Sequence, residues 1–278
     1  MIYSPKYVQK MMDDYQFQFK KKFGQNFIID ENIINNIILK SEIDKDSLVI
    51  EVGPGSGALT NKLCATAGQV ISFEIDTTLQ EILANELKTY DNVKVIYEDF
   101  LKADILKYVQ NYSFSKIYLI ANLPYYITTP IIMKVIEEKL PIDKIVIMVQ
   151  KEVGNRFKAD IGTKDYNSLS IYLNYYFDVK KVLDVSRNVF YPKPNVDSIV
   201  VEMKAKNKEY QVDDEELLFQ LIRDAFKQKR KTLRNNLKEY NLEVIEQVLK
   251  KYQHSLSTRA EQISLEEFID IANHLKTF

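Results

Sequence analysis

The sequence predicts an α/β protein: a doubly wound, mostly parallel sheet over residues 1–204, followed by a small all-helical domain over 205–278. Three observations carry this. Short β-branched apolar runs alternate with amphipathic stretches through the first two-thirds of the 278 residues, the β-α-β-α rhythm of a wound sheet. Most of those runs are apolar on both faces, as strands covered by helices on two sides are. After Met203 the strand pattern stops and apolar residues recur at three and four, the period of a helix with one buried face.

Taken in order, LVIEV (48–52), QVISFEI (69–75), VKVIY (93–97), KIYLIAN (116–122) and KIVIMVQ (144–150) are the parallel strands, with helices expected at 57–67, 77–88 and 129–139. Two later strands, YFDVKKVLDV (176–185) and DSIVVEM (197–203), are joined by the short segment NVFYPKPN. So tight a connection suits an antiparallel edge better than another crossover. KAKNKEYQ (204–211) reads as a linker. Leu217, Leu218, Leu221, Ile222 and Phe226 mark the buried face of the first tail helix, and RKTLRNNLKEY, LEVIEQVLKKY and SLEEFIDIANHLK supply the rest.

Small counts exclude much chemistry. The two histidines, His254 and His274, lie in the tail, so a Ser-His-Asp or Cys-His engine would need one of them brought back. Cys64 is the only cysteine, which rules out an intrachain disulfide and a cysteine-rich zinc cage. No acidic run has ligand-loop spacing, so no metal site is expected. No stretch approaches the roughly 18 apolar residues of a membrane span. The N-terminus carries Asp13 and Asp14 and no apolar core segment, a poor secretory signal. A cytoplasmic protein without a membrane partner is the expectation. The net charge of −1 gives no bulk hint of nucleic acid.

Three of the seven glycines fall in Gly53-Pro54-Gly55-Ser56-Gly57, directly after the first strand. Such clustering marks a tight turn or close backbone approach to a ligand. Glu74 follows 21 residues after Gly53, at the end of the next strand, where nucleotide-binding α/β folds place the acid that takes the ribose hydroxyls. The spacing is G-x-G-x-G rather than the dinucleotide G-x-G-x-x-G, and Glu51 precedes the loop. An acid there is unhelpful to a diphosphate but suits a cation, and S-adenosylmethionine carries a sulfonium and an α-ammonium. Asp99 can accept a hydrogen bond from the exocyclic amine of an adenine, or cap a helix starting at Leu101.

The fourth strand ends Asn122-Leu123-Pro124-Tyr125, facing the same crevice, because ligands of open α/β sheets sit at the carboxyl ends of strands. The Asn122 side-chain carbonyl and the Leu123 main-chain carbonyl could accept both N–H bonds of an adenine N6. Pro124 stiffens the turn and Tyr125 offers a ring for stacking. Catalysis would rest on positioning rather than on a general base.

With Phe23-Gly-Gln-Asn-Phe27, Glu51-Val-Gly-Pro-Gly-Ser-Gly57, Asn122-Leu-Pro-Tyr125, Gln150-Lys-Glu-Val153, Phe190-Tyr-Pro-Lys-Pro-Asn-Val-Asp-Ser198 and Ala225-Phe-x-Gln-x-Arg-Lys-Thr-Leu-Arg-Asn235 in hand, the chain resembles the ribosomal RNA adenine N6-dimethyltransferases over roughly residues 19–275. Within them it is most similar to bacterial enzymes acting on two adjacent adenines near the 3′ end of 16S rRNA. The resemblance implies a Rossmann-like class I methyltransferase with a seven-stranded, mostly parallel sheet and S-adenosylmethionine as cofactor. It places Asn26 and Ile28 over the cofactor, the methionine end at Gly53 and Gly55, ribose at Glu74, and adenine at Asp99, with Ile75 and Phe100 beside these acids and Asn122 touching both the cofactor and the reacting amine. Phe190 would complete an aromatic sandwich with Tyr125 around an extruded base. Two departures stand out. Many relatives have Asn where Tyr126 stands, and Asn167 occupies a position usually held by Gly, which Asn can replace at positive φ.

Local charge fills in the partner. Residues 223–234 carry Arg223, Lys227, Lys229, Arg230, Lys231 and Arg234 against one acid, and Lys20-Lys21-Lys22 forms a second cluster. Basic clusters near a base-flipping cleft favour phosphate contacts, which nominates Lys20, Lys21, Lys22, Lys229, Arg230 and Arg234 for RNA. The expectation is an enzyme acting as a monomer on 16S rRNA within the 30S subunit or its precursor. The alternatives are a 23S rRNA adenine methyltransferase of the antibiotic-resistance type and a non-catalytic ribosome-assembly factor. A DNA adenine methyltransferase, which would more typically show Pro-Pro at 123–124, and a nicotinamide oxidoreductase fit less well.

Overall fold

A computed structural model describes residues 4–20, 23–206 and 210–276. The chain opens with α1 (Pro5–Asp14), the two-residue strand β1 (Phe27–Ile28) and α2 (Glu31–Ser41). Alternation then sets in with β2 (Ser47–Val52), α3 (Ala58–Thr66), β3 (Gln69–Phe73), α4 (Gln80–Leu87), β4 (Val93–Ile96), α5 (Ile105–Val109), β5 (Lys116–Asn122), α6 (Thr128–Glu137) and β6 (Lys144–Gln150). Next come α7 (Lys151–Phe157), α8 (Ser168–Tyr176), β7 (Phe177–Val185), the two-residue β8 (Phe190–Tyr191) and β9 (Ser198–Ala205). The tail holds α9 (Glu215–Ala225), α10 (Leu233–Asn236), α11 (Leu242–Lys251) and α12 (Leu265–Lys276).

Local chemistry sets several of these boundaries. Ser4 caps α1 by accepting from the Tyr7 N–H, with Pro5 at the position where its missing N–H costs nothing. Asp30 caps α2 and Asp214 caps α9. Neither α1 nor α2 was signalled by the strand–helix alternation, and the β1–β8 pair is too short to show alternation at all.

Seven strands form one sheet in the order β4-β3-β2-β5-β6-β9-β7. The β2–β3, β3–β4, β2–β5 and β5–β6 pairs are parallel, and β9 runs antiparallel to β6 with Met148 opposite Val200. The segments 176–185 and 197–203 do lie side by side as β7 and β9, but β9 enters the sheet inside β7, which takes the edge. The strand expected at 69–75 stops at Phe73, because Asp76 starts a short 3₁₀ turn (Thr77–Leu79) that turns the chain away. Strand order reverses between β2 and β5, and that switch point opens the crevice at their carboxyl ends. β2 is buried along its whole length, with α2, α3 and α4 contributing Ile34, Leu63 and Leu83 to the core on one face. Cys64 of α3 is in that core at 1% exposure, and burial pushes its thiol up to about 12.

Two compact units divide the chain: residues 1–154 with 180–205, and residues 155–179 with 206–278. The single boundary expected at 204/205 thus misses an excursion. Ile171, Tyr172 and Tyr175 of α8 join Leu218, Leu221 and Ile222 of α9 in a second core. The tyrosines draw it there: Tyr172 stacks on Phe219 at 4.6 Å and donates to the Phe219 carbonyl, and Tyr175 donates to Glu215 at 2.8 Å. Asn167 is not at positive φ as its place in the motif suggested. It lies in extended backbone and caps α8 through the Leu169 N–H. No helix among the described residues is long and apolar enough to cross a membrane.

Candidate active site

The ends of β2, β3, β4 and β5 enclose a cleft of about 1260 Å³ including its open mouth, and the Gly53–Ser56 loop forms its floor. Gly53 and Gly55 have φ of 74° and 58°, a region L-residues seldom adopt. A Cβ on Gly55 would sit 2.9 Å from the Phe27 ring, whereas one on Gly53 would meet nothing within 4 Å. Side-chain bulk is thus excluded at Gly55 by the protein, while the space above Gly53 is left open.

Two carboxylates face this loop. Glu74 is 4% exposed, accepts the Asp76 N–H on Oε1 at 2.8 Å and the Gly55 N–H on Oε2 at 3.3 Å. Glu51 is 1% exposed and accepts the Ser72 hydroxyl at 2.6 Å. Burial pushes both carboxyl groups up to about 7, against the hydrogen bonds that favour the charged forms. Two acids so placed are poised to become anions when a cation enters. Asp99 is half-buried on the wall and accepts the Leu101 N–H at 3.0 Å. It caps a turn rather than a helix from Leu101, since α5 begins at Ile105 under its own cap, Asp104. Ile75 lies at the rim and is 47% exposed, whereas Phe100 is buried edge-on against Phe73.

Across the crevice, Asn122 ends β5, and its amide is oriented by the donation of Nδ2 to the Asn26 carbonyl at 3.0 Å. Its Oδ1 and the Leu123 carbonyl oxygen accept no hydrogen bond among the described residues, so two acceptors on consecutive residues are without donors there. Tyr125 shares a hydrogen bond at 3.0 Å with the fully buried Ser198 hydroxyl. Phe190 also lines the cleft, 3% exposed and paired with Ile28 in the β1–β8 ladder. Tyr125 and Phe190 thus line the same cleft. Tyr126 is 59% exposed at the mouth.

The Phe23–Asn26 segment forms the remaining wall. The Lys20 ammonium pairs with Asp76 at 2.6 Å and donates to the Thr78 hydroxyl at 3.0 Å. Lys21 and Lys22 lie outside the described residues. In the other unit, Lys229 and Arg230 occupy the exposed turn after α9 rather than a helix face. Lys229 donates to the Lys164 carbonyl, and Arg234 reaches Glu246 only at 4.0 Å while 63% exposed. Sequence reasoning missed Gln25, Asp76 and Ser198. The legible signal for Asp76 was a second acid two residues beyond Glu74.

Comparison with known proteins agrees with this geometry. The family model described as ribosomal RNA adenine dimethylase matches residues 16–277. Ribosomal RNA small subunit methyltransferase A of Staphylococcus aureus strain MRSA252 is 46% identical over all of this chain and 96% of its own, and that of Staphylococcus carnosus is 47% identical over all of this chain and 97% of its own. Among solved structures, a dimethyladenosine transferase from Plasmodium falciparum is similar with a TM-score of 0.75 at 26% identity, over 88% of this chain and 95% of that one. The 23S rRNA methyltransferase ErmE shares the fold with a TM-score of 0.72 at 24% identity, over 90% of this chain and all of that one.

Proposed function

This chain belongs to the ribosomal RNA adenine dimethylase family, and on that premise we propose that it dimethylates N6 of two adjacent adenines in the hairpin near the 3′ end of 16S rRNA. The observation that carries this reading is the pair of donor-free carbonyls, Asn122 Oδ1 and Leu123 O, at the switch point beside the glycine loop.

The residues present fit S-adenosylmethionine. Open space above Gly53 leaves room for its methionine end, buried Glu51 suits its positive charge, Glu74 suits the ribose hydroxyls, and Asp99 and the exposed Ile75 suit an adenine edge and face. That cofactor supplies a methyl group on an electrophilic sulfonium. The protein's share is positioning. Asn122 and Leu123 accept the two N–H bonds of the target amine and turn its nitrogen lone pair out of conjugation with the ring. Tyr125, steadied by Ser198, and Phe190 hold the extruded base. No side chain has to act as base, since a methylated ammonium on adenine sheds its proton to water readily.

Small-subunit RNA is favoured over 23S rRNA by the relatives named for the small subunit. Arg230 and Arg234, with Lys229, contact RNA phosphates, and the enzyme acts as a cytoplasmic monomer on the 30S subunit or its precursor. The test is methyl transfer from labelled S-adenosylmethionine to unmethylated 30S subunits, with dimethyladenosine mapped by mass spectrometry. Label on two neighbouring adenines of 16S rRNA, lost in Asn122→Ala, is the expected result. Tight subunit binding without label overturns the enzymatic reading.

A further inference from the structure

We propose that Asp76 is a positioning residue: through Lys20 and Gln25 it holds the Phe23–Asn26 segment across the cleft and thereby orients the Asn122 amide. This deepens the reading of the cleft as the methyltransferase site and rests on it.

The Asp76 carboxylate is 1% exposed and collects four hydrogen bonds. Oδ1 accepts from Lys20 Nζ at 2.6 Å, from the Thr78 hydroxyl at 2.6 Å and from the Thr78 N–H at 3.2 Å, and Oδ2 accepts from Gln25 Nε2 at 2.8 Å. Capping the 3₁₀ turn needs only the Thr78 N–H. The contacts to Lys20 and Gln25 reach more than fifty positions back along the sequence and serve no turn. A buried carboxylate is costly unless its lone pairs are filled, so the N-terminal segment completes the Asp76 site as much as Asp76 restrains the segment.

Gln25 is fixed at both ends of its amide, since its Oε1 accepts the Lys20 N–H at 2.9 Å. Its neighbour Asn26 offers its carbonyl to Asn122 Nδ2, and a Cβ on Gly24 would lie 3.6 Å from both Pro124 and Tyr126. On the other side, the Asp76 N–H donates to Glu74 Oε1. One connected path therefore runs Glu74, Asp76, Gln25, Asn26, Asn122, from the acid of the ribose site to the carbonyl of the amine site. Without the latch, the Asn26 carbonyl is held only by the adjoining β1–β8 pair and by the donation of Asn26 Nδ2 to the Gly24 carbonyl, and the Asn122 amide gains freedom to rotate and present its NH₂ to the substrate.

The test compares full-length wild type, Gln25→Ala, Asp76→Asn and the exchanged pair Asp76→Asn/Gln25→Glu. Amide hydrogen exchange of the ligand-free proteins and calorimetric titration with S-adenosylhomocysteine are read alongside the kcat and KM of methyl transfer. Gln25→Ala leaves the turn cap intact. It is expected to speed exchange at residues 23–27 about tenfold, with unchanged exchange at Thr78 and Leu79, and to weaken S-adenosylhomocysteine by a similar factor while lowering kcat. The exchanged pair, which rebuilds an acid–amide contact, recovers most of each loss relative to Asp76→Asn. Wild-type exchange and affinity in Gln25→Ala would reduce Asp76 to a turn cap and overturn the proposal. Failure of wild type itself to bind S-adenosylhomocysteine would instead overturn the reading of the cleft, and the exchange data would still judge the latch.

Discussion

On the β2 side of the cleft the acceptors are carboxylates that the protein itself already engages: Glu74 takes two main-chain N–H groups and Glu51 takes the Ser72 hydroxyl. On the β5 side the acceptors are uncharged carbonyls, Asn122 Oδ1 and Leu123 O, that the protein leaves without donors. The difference follows the ligands each side suits. A cation is attracted by charge, and buried anions need internal hydrogen bonds to exist at all before it arrives. A neutral amine is recognised by donor count, so its acceptors have to be kept open, and a ligand lacking both N–H groups leaves them unsatisfied.

The sharpest way to break this comparison is Asn122→Ala. Transfer is expected to fall by about 10²–10³-fold, the scale for losing one preorganised polar group, with S-adenosylhomocysteine affinity in calorimetry nearly unchanged. Equal losses in both would show that the two sides are one site energetically. Glu74→Ala should do the opposite, weakening S-adenosylhomocysteine roughly 10- to 100-fold, the worth of hydrogen bonds to a charged acceptor, while kcat at saturating cofactor changes less.

The charge difference itself is tested by pH. Glu51 and Glu74 lie at about 7 in the ligand-free protein, so a cationic ligand binds the deprotonated forms and its affinity falls by about tenfold or more from pH 8 to pH 6. S-adenosylhomocysteine, without the sulfonium, should show a shallower slope, and Glu51→Gln should flatten that of a sulfonium ligand. For the fold the sign is reversed. Because both values are raised, these groups stabilise the ligand-free protein below the ordinary carboxylate range, and that contribution is lost as pH rises through about 7. A melting midpoint for Glu51→Gln above wild type at pH 8 but not at pH 5 would match. The smallest effect belongs to the helical unit. Arg230→Ala should weaken 30S binding about threefold and lower the salt slope by roughly 0.7–0.9, one phosphate contact, without touching cofactor affinity.

The strands and the glycine loop were legible because their signals are local: two-faced apolar runs, and glycine where a chain poor in glycine needs positive φ. Asn122 and Tyr125 were legible for the same reason, lying in one run at a strand end. What could not be read was pairing over distance. Nothing around Lys20 shows that its partner is Asp76. Nothing in SLSIYLNYY says which of two cores its tyrosines enter, so 155–179 was assigned to the sheet domain rather than to the helical one. The β1–β8 pair has two residues per strand and carries no pattern, yet it seats Ile28 and Phe190 beside the cleft.

Cys64, closed within the core of the sheet unit, makes the molecule its own stopwatch. As the only thiol in the chain, and one held protonated by burial, it can react with an alkylating reagent only during openings that expose α3. Its labelling rate therefore counts those openings one by one, with no signal from the helical tail. A ligand that binds the closed cleft lengthens the interval between them by the factor 1 + L/Kd, where L is the free ligand concentration, so the affinity of an unlabelled ligand can be read from the clock alone.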